Sequence, residues 1–113
     1  MSKHDPDVTF HQILAYAEEA VEISQGKNRQ DLDKERLLNL ALSRLLEMLG
    51  EAANRVPEGT RTKYPDLPWL QMIAARNRLI HGYDSVDFDI LWAIIKNDLP
   101  VLIARLKEIL EAT

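Results

Sequence analysis

The stretch LLNLALSRLLEMLGEAANRV, residues 37–56, decides the fold. Its apolar residues recur at the three- and four-residue spacing of one helix face, and further leucines and alanines widen that face. The stripe consists of Leu38, Ala41, Leu42, Leu45, Met48, Leu49, Ala52 and Val56, widened by Leu37, Leu40, Leu46 and Ala53. A helix that is apolar on several sides is expected at the centre of a bundle or in contact with a second chain.

Helical spacing also governs the segments around this stretch. The first helix is predicted to begin at Asp5-Pro6, an N-cap followed by proline, and to end at Gly26. The central helix is predicted to run from about Asp31 to Arg55. The sequence VPEGTRTKYPDLP, residues 56–68, contains three prolines and a glycine and is predicted to be a loop.

The second half of the chain predicts further helices. A third helix restarts between Asp66 and Trp69 and stops at Gly82, and a fourth begins after the N-cap Asp87. Pro100, in the sequence NDLP, predicts a kink or break.

A final helix is expected after that break, with Asp98 as its cap and Leu102, Ile103, Leu106, Ile109 and Leu110 on its apolar face. Sustained period-two alternation is absent from the sequence, so the predicted fold class is all-α. We expect a four- to five-helix antiparallel bundle that forms one domain over residues 1–113.

Composition excludes several classes of protein. The chain has no cysteine, which rules out disulfides, thiolate metal sites and cysteine nucleophiles. The first ten residues contain no apolar run of signal-peptide length, and no uninterrupted apolar stretch is long enough to span a membrane. The sequence therefore predicts a cytoplasmic protein without a membrane partner.

The charge of the chain is unevenly distributed. The formal net charge is −4, which argues against a protein that coats nucleic acid with its whole surface. Five arginines or lysines and two acids lie between Arg55 and His81, so this basic segment carries +3 and the remainder carries −7. The segment either holds an anionic ligand locally or forms an exposed basic loop.

The chemistry-bearing residues lie in AARNRLIHGYDSVD, residues 74–87. A histidine can exchange a proton near neutral pH, and the planar fork of an arginine fits phosphate oxygens. Cleavage of RNA by its own 2′-hydroxyl needs a base, an acid and positive charge at the phosphorus, and it needs no metal. His81 and Arg76 supply these groups, and Asn77 could orient either of them.

The spacing of the motif favours a site shared between two chains. Asn77 and His81 are four residues apart and share a helix face, whereas Arg76 and His81 are about 140° apart around an ideal helix. Arg76 and His81 can therefore act at one site in three ways: the helix distorts near Gly82, the Arg76 side chain reaches sideways, or two copies of the chain combine their residues. The alternative to a catalytic site is a structural role for these residues. In that case His81 contacts the free carbonyls at the end of the helix, Arg78 is solvated and Tyr83 is a packing residue. Without convincing metal-ligand spacing among His, Asp and Glu, we predict no metal and no cofactor.

The sequence RNRLIH followed by GY resembles the R-x4-H-x-Y signature of HepT-like toxins in the HEPN (higher eukaryotes and prokaryotes nucleotide-binding) superfamily. The resemblance extends along nearly the whole chain and in order. LLEMLGEAANRVP resembles the second helix of that family, YPDLPWLQMIAARNRLIHGYDSVDFDILWAII its third helix and the start of its fourth, and DLPVLIARL its end.

This resemblance implies a HEPN-like bundle that forms a two-fold dimer with the motifs facing each other in a cleft. It implies a metal-independent RNA endonuclease with Arg76 and His81 as the catalytic pair and Asn77 and Arg78 in support. It also implies a partner antitoxin, an MntA-type nucleotidyltransferase that uses ATP and Mg²⁺ to attach AMP to Tyr83.

The leading hypothesis is therefore the toxin of a type II toxin-antitoxin system, a ribonuclease that AMPylation of Tyr83 inhibits. The alternative is a non-catalytic HEPN nucleotide-binding or adaptor subunit for a nucleotidyltransferase. A third possibility is a plain dimerisation module, which the wide apolar stripe of the central helix would suit.

Overall fold

The computed structural model describes the backbone of residues 6–80 and 87–112 and the side chains of residues 7–74 and 87–112. The regular elements in this part of the chain are helices, so the all-α prediction is confirmed. They are α1 (Pro6–Ile23), α2 (Asp31–Lys34), α3 (Arg36–Arg55), α4 (Glu58–Arg61), α5 (Trp69–Ile80), α6 (Phe88–Ala93), a π-helical turn (Ile94–Asp98) and α7 (Leu99–Glu111).

Helix α3 lies between α1 and α5, as its apolar stripe predicts. Contacts at both ends show that α1 and α3 are antiparallel. Near the C-terminus of α3, Arg55 donates to Gln12 of α1 at 3.4 Å. At the other end, Lys27, just after α1, pairs with Glu35, just before α3, at 3.0 Å.

The other neighbouring helices are antiparallel too. Residues 54–56 of α3 line the same groove as Trp69 at the start of α5, and Leu46 and Leu49 lie near Met72. Helix α7 covers α1, where Lys107 pairs with Glu18 at 3.3 Å. The predicted antiparallel bundle is therefore confirmed.

The core contains the large apolar side chains that these helices share. Burying one such side chain contributes about 1.5–3 kcal/mol relative to leaving it in water, so this cluster dominates folding. The side chains with the least exposure are Phe10, Ile13, Leu32, Leu42, Leu46, Leu91, Ile95, Leu99 and Leu106.

The predicted helix over Asp31–Arg55 is wrong in one respect, because it is split. Glu35 has an extended backbone (φ −109°, ψ 97°) that separates α2 from α3. The split lets Leu32 reach the core, where it is fully buried. The Asn39 side chain donates to the Leu32 carbonyl at 2.9 Å and satisfies one acceptor that the break leaves without a helical partner.

The predicted loop over residues 56–68 contains the one-turn helix α4. Arg61, at the end of α4, donates to the carbonyls of Val56 at 2.9 Å, Asn54 at 3.0 Å and Ala53 at 3.4 Å. These carbonyls belong to the C-terminal end of α3, where acceptors lack helical partners and a cation is favourable. The short helix therefore caps the central helix of the bundle.

The kink or break predicted at NDLP takes the form of a widened helical turn. Residues 94–98 form a π-helical turn in which the Leu99 N–H bonds to the Ile94 carbonyl, and α7 follows without interruption. A wider turn leaves room for the ring of Pro100, which would clash with a carbonyl one α-helical turn back. The predicted cap at Asp98 is wrong, because its side chain makes no capping hydrogen bond.

Two other boundary predictions are confirmed. Gly26 ends the turn after α1 with φ +74°, a left-handed conformation that favours glycine. The carboxylate of Asp87 caps α6 by accepting from the N–H groups of Asp89 and Ile90 at 3.0 and 3.1 Å. Asp5 and Gly82 lie outside the described residues. Over the described ranges, none of the helices has the length and apolar character needed to cross a membrane.

Candidate functional site

Helix α5 carries the first three residues of the predicted site. The backbone of Arg76, Asn77 and Arg78 is helical, in the last part of α5, and their side chains are outside the described set. His81 and Tyr83 also lie outside the described residues. The structure therefore gives the helix on which the motif begins and the surroundings of that helix.

The register of α5 separates positions 76 and 77. Arg76 follows Trp69 by seven residues and Met72 by four, and both of those side chains are buried against the bundle. Asn77 follows Leu70 by seven residues and Ala74 by three, and both are exposed. The helical backbone therefore places position 76 in the same row as Trp69 and Met72, and position 77 in the same row as Leu70 and Ala74.

The C-terminal end of α5 lies beside the N-terminal half of α3. Met72 is level with Leu46 and Leu49, and Ile80 is eight residues further along α5, or about 12 Å. In an antiparallel pair, the same distance along α3 reaches the region of Leu40 and Leu37. Their side chains are 47% and 84% exposed. The C-terminal end of α5 and these exposed leucines therefore share one end of the described bundle.

The chain that follows residues 81–86 is held at the same end. Arg29, in the turn before α2, donates from Nε to Asp89 of α6 at 2.6 Å and from a terminal nitrogen to Asp33 of α2 at 3.1 Å. Its guanidinium also lies 5.7 Å from the centre of the Phe88 ring. The hydrogen bond to Asp89 raises the pKa of Arg29 above its ordinary value, so the group is a permanent cation.

The basic segment of the sequence is divided between the two ends of α5. Arg55, Arg61 and Lys63 lie near its N-terminal end, and Arg61 is bound to backbone carbonyls as a cap. Arg76 and Arg78 lie in its C-terminal half, about 10–14 Å further along the helix axis. The positive charge of the basic segment is therefore not concentrated at one end of α5.

A metal centre gains no support from the part of the chain that the structure describes, where His, Asp and Glu form no group of three or more suited to a metal ion.

Sequence reasoning overlooked Arg29 and its partners. Arg29 and Asp89 are separated by 60 positions, and neither belongs to a motif. Only the tertiary fold reveals this contact.

Comparison with known proteins agrees with this architecture. Residues 13–109 match the family model described as "Ribonuclease HepT-like". A protein of Methanocaldococcus jannaschii named "Putative RNase MJ1380" is 34% identical over 100 residues, which cover 88% of this chain and 92% of that protein. No solved structure matches the chain.

Two further relatives come from other organisms. "Putative RNase TTE0752" of Caldanaerobacter subterraneus is 34% identical over 106 residues, covering 94% of this chain and 95% of that protein. "Probable ribonuclease HepT" of Thermococcus cleftensis is 32% identical over 95 residues, covering 80% of this chain and 86% of that protein. With its R-x4-H-x-Y sequence on α5 and beyond, and a match over most of its length, this chain belongs to the HepT-like ribonuclease family of the HEPN superfamily.

Proposed function

We propose that this protein is a metal-independent RNA endonuclease and the toxin of a type II toxin-antitoxin system. The observation that carries the proposal is the sequence motif from Arg76 to Tyr83, which begins on α5, in a chain whose family match spans residues 13–109. The relatives named as RNases support RNA as the substrate. We expect the protein to act in the cytoplasm.

In the proposed reaction, one His81 takes the proton of the 2′-hydroxyl as that oxygen attacks the adjacent phosphorus. The new O2′–P bond forms, the P–O5′ bond breaks, and the His81 of the second protomer gives a proton to the leaving 5′-oxygen. Arg76 neutralises the charge on the phosphoryl oxygens in the transition state. The products are a 2′,3′-cyclic phosphate and a free 5′-hydroxyl. Asn77 and Arg78 support the substrate or the catalytic pair.

The two-fold dimer of this proposal is supported by the exposed leucines of α3. Leu46 and Ala53 of the wide stripe are buried within the protomer, whereas Leu37 and Leu40 remain exposed at the motif end. Exposed apolar side chains that cluster on one surface are typical of a protein interface. Joining two protomers there would bring their α5 C-terminal ends towards a shared groove, which is what a composite Arg76/His81 site needs.

Regulation is proposed to act through Tyr83. A nucleotidyltransferase antitoxin of the MntA type would attach AMP to its hydroxyl. The added phosphodiester and nucleotide would lie two residues from His81 in the sequence, and their negative charge would compete with the phosphate of the RNA.

The test measures cleavage of a panel of structured and single-stranded RNAs in EDTA. We expect cleavage by the wild type and products that end in cyclic phosphate. We expect no cleavage by Arg76→Ala or His81→Ala, with unchanged circular dichroism. Lys63→Ala is the matched control, because it removes an exposed cation of the same basic segment at the opposite end of α5. Full activity of either motif variant would refute the catalytic assignment.

The same material distinguishes the alternative function. If the wild type binds ATP or AMP but leaves every RNA intact, the non-catalytic adaptor of a nucleotidyltransferase is favoured. Mixed dimers that contain one wild-type and one His81→Ala protomer test the sharing of the site. If each cleavage uses both His81 side chains, such a dimer is expected to be nearly as inactive as the His81→Ala dimer, whereas sites contained within single protomers would leave roughly half of the wild-type activity.

A further inference from the structure

Arg29 connects three parts of the molecule. It lies in the turn between α1 and α2, and its side chain contacts α2 through Asp33 and α6 through Asp89 and Phe88. The two ion pairs use different nitrogens of the guanidinium group, Nε for Asp89 and a terminal nitrogen for Asp33. The same group also lies over the ring of Phe88. Through these contacts, a single side chain links the first turn of α6 to α2.

The first turn of α6 is the first described structure after the motif. Six residues, 81–86, separate Ile80 at the end of α5 from Asp87, the cap of α6. Asp89 is therefore only eight positions from His81 and six from Tyr83. With α5 fixed against α3, the position of α6 sets the other end point of the segment that carries both residues.

We infer that Arg29 is a positioning residue for the proposed site, acting by anchoring the start of α6 and with it the C-terminal end of the segment that contains His81 and Tyr83. The inference rests on the proposed ribonuclease function. Arg29 does not need to touch RNA in this role. Its charge is already shared by two carboxylates, which makes it a poor phosphate ligand.

The contacts fit a positioning role better than a role in global stability. Asp89 and Asp33 are exposed, and ion pairs at a protein surface contribute little to stability. Catalysis is far more sensitive to geometry, since a displacement of about 1 Å can cost a hundredfold in rate. Loss of Arg29 should therefore lower turnover much more than it lowers the unfolding temperature.

The experiment compares Arg29→Ala, Arg29→Lys and the wild type in RNA cleavage, with kcat and KM measured separately. Arg105→Ala is the matched control, because Arg105 forms an exposed tertiary pair with Asp66, before the N-terminal end of α5. Amide hydrogen exchange of peptides that cover residues 81–93 is measured on the same samples. This second readout does not depend on activity.

We expect Arg29→Ala to lower kcat by about tenfold or more with KM changed less than about twofold. Lysine keeps one charged contact but lacks the planar fork, so Arg29→Lys should recover part of the loss. Exchange over residues 81–93 should become faster in Arg29→Ala and stay at the wild-type rate in Arg105→Ala.

The outcomes separate the two proposals. If the wild type cleaves RNA and Arg29→Ala keeps its full kcat, the role of Arg29 is refuted and the ribonuclease function stands. If kcat falls equally in Arg29→Ala and Arg105→Ala with unchanged exchange over residues 81–93, Arg29 has no specific role. If the wild type cleaves no RNA, the proposed function itself is refuted, and the positioning role falls with it.

Discussion

Replacing Leu37 by alanine tests whether the protein is a monomer or a two-fold dimer with its interface on α3. The Leu37 side chain is 84% exposed in the protomer, so only an interface would bury it. The substitution removes three carbon atoms, each of which gains about 0.8 kcal/mol when it is buried. If an interface covers the exposed part, the loss is about 2 kcal/mol per protomer by the same measure. A two-fold axis buries two copies, so the dimer loses about 4 kcal/mol, or roughly a thousandfold in Kd.

The same substitution should have little effect on the isolated protomer. An exposed side chain contributes little to folding, and surface changes of this kind usually alter stability by less than about 0.5 kcal/mol. The assay is sedimentation equilibrium over a wide range of protein concentrations. Val101→Ala is the control, because Val101 is also an exposed aliphatic residue, 70% accessible, but lies on α7.

We expect the wild type and Val101→Ala to share one dimer Kd and Leu37→Ala to be monomeric at concentrations where both are dimers. RNA cleavage should fall with the fraction of dimer and recover at high concentration of the variant. A wild type that sediments as a monomer throughout, or a Leu37→Ala dimer of wild-type affinity, would refute the placement of the interface on α3.

Two further substitutions test the local structure on either side of the site. Asp87→Ala removes the carboxylate that accepts from the N–H groups of Asp89 and Ile90, at a cost of about 1 kcal/mol in the free energy of unfolding. Calorimetry at fixed protein concentration should show a Tm lower by roughly 4 °C for Asp87→Ala, while Asp87→Asn retains most of the stability. An unchanged Tm for Asp87→Ala would contradict the capping role. The hydrogen bond from Arg105 lowers the pKa of Asp66 in the folded protein. Ionised Asp66 therefore stabilises the folded state at pH values above the unfolded-state pKa of a carboxyl group, about 3.9. This stabilisation is lost as the pH falls through the lowered pKa of the folded state. Urea midpoints should therefore be higher for the wild type than for Asp66→Asn at pH 7 and converge in acid as Asp66 becomes protonated. A gap that widens in acid would contradict the assignment.

The central helix was predictable because its signal is local and strong. Apolar residues at three- and four-residue spacing identify α3 whatever surrounds it. The break at Glu35 was not predictable in the same way, since the residues from 31 to 36 include neither glycine nor proline. The break depends on tertiary contacts: Leu32 enters the core, and Lys27 pairs with Glu35 across the turn.

Pro100 shows the limit of a rule based on one residue. Its missing N–H and its ring predict a disturbance of the helix, and the disturbance is present at the expected place. Its form depends on whether the chain can widen a turn and still pack. Ile95, in the widened turn, and Leu99, directly after it, are both buried before the proline. A π-helical turn that keeps both side chains in the core is therefore favoured over a break.

The candidate site likewise has a part that the local sequence predicts and a part that depends on the tertiary fold. Arg76, His81 and Tyr83 lie within eight consecutive residues, so a short pattern identifies them together. The contact between Arg29 and Asp89 joins residues 60 positions apart, and no spacing rule connects them. A sequence motif therefore gives the groups that would act on a phosphate, while the fold gives the groups that would hold them in place.

The charge distribution links the dimer to the chemistry. The chain carries −4 overall, so long-range attraction would contribute little to its affinity for RNA. Binding would then depend on short-range contacts from Arg76 and Arg78 at one end of α5. In the proposed dimer, a two-fold axis through the motif end would double this pair and add the second His81. Dimerisation would then supply both the affinity and the second proton transfer that the proposed reaction needs.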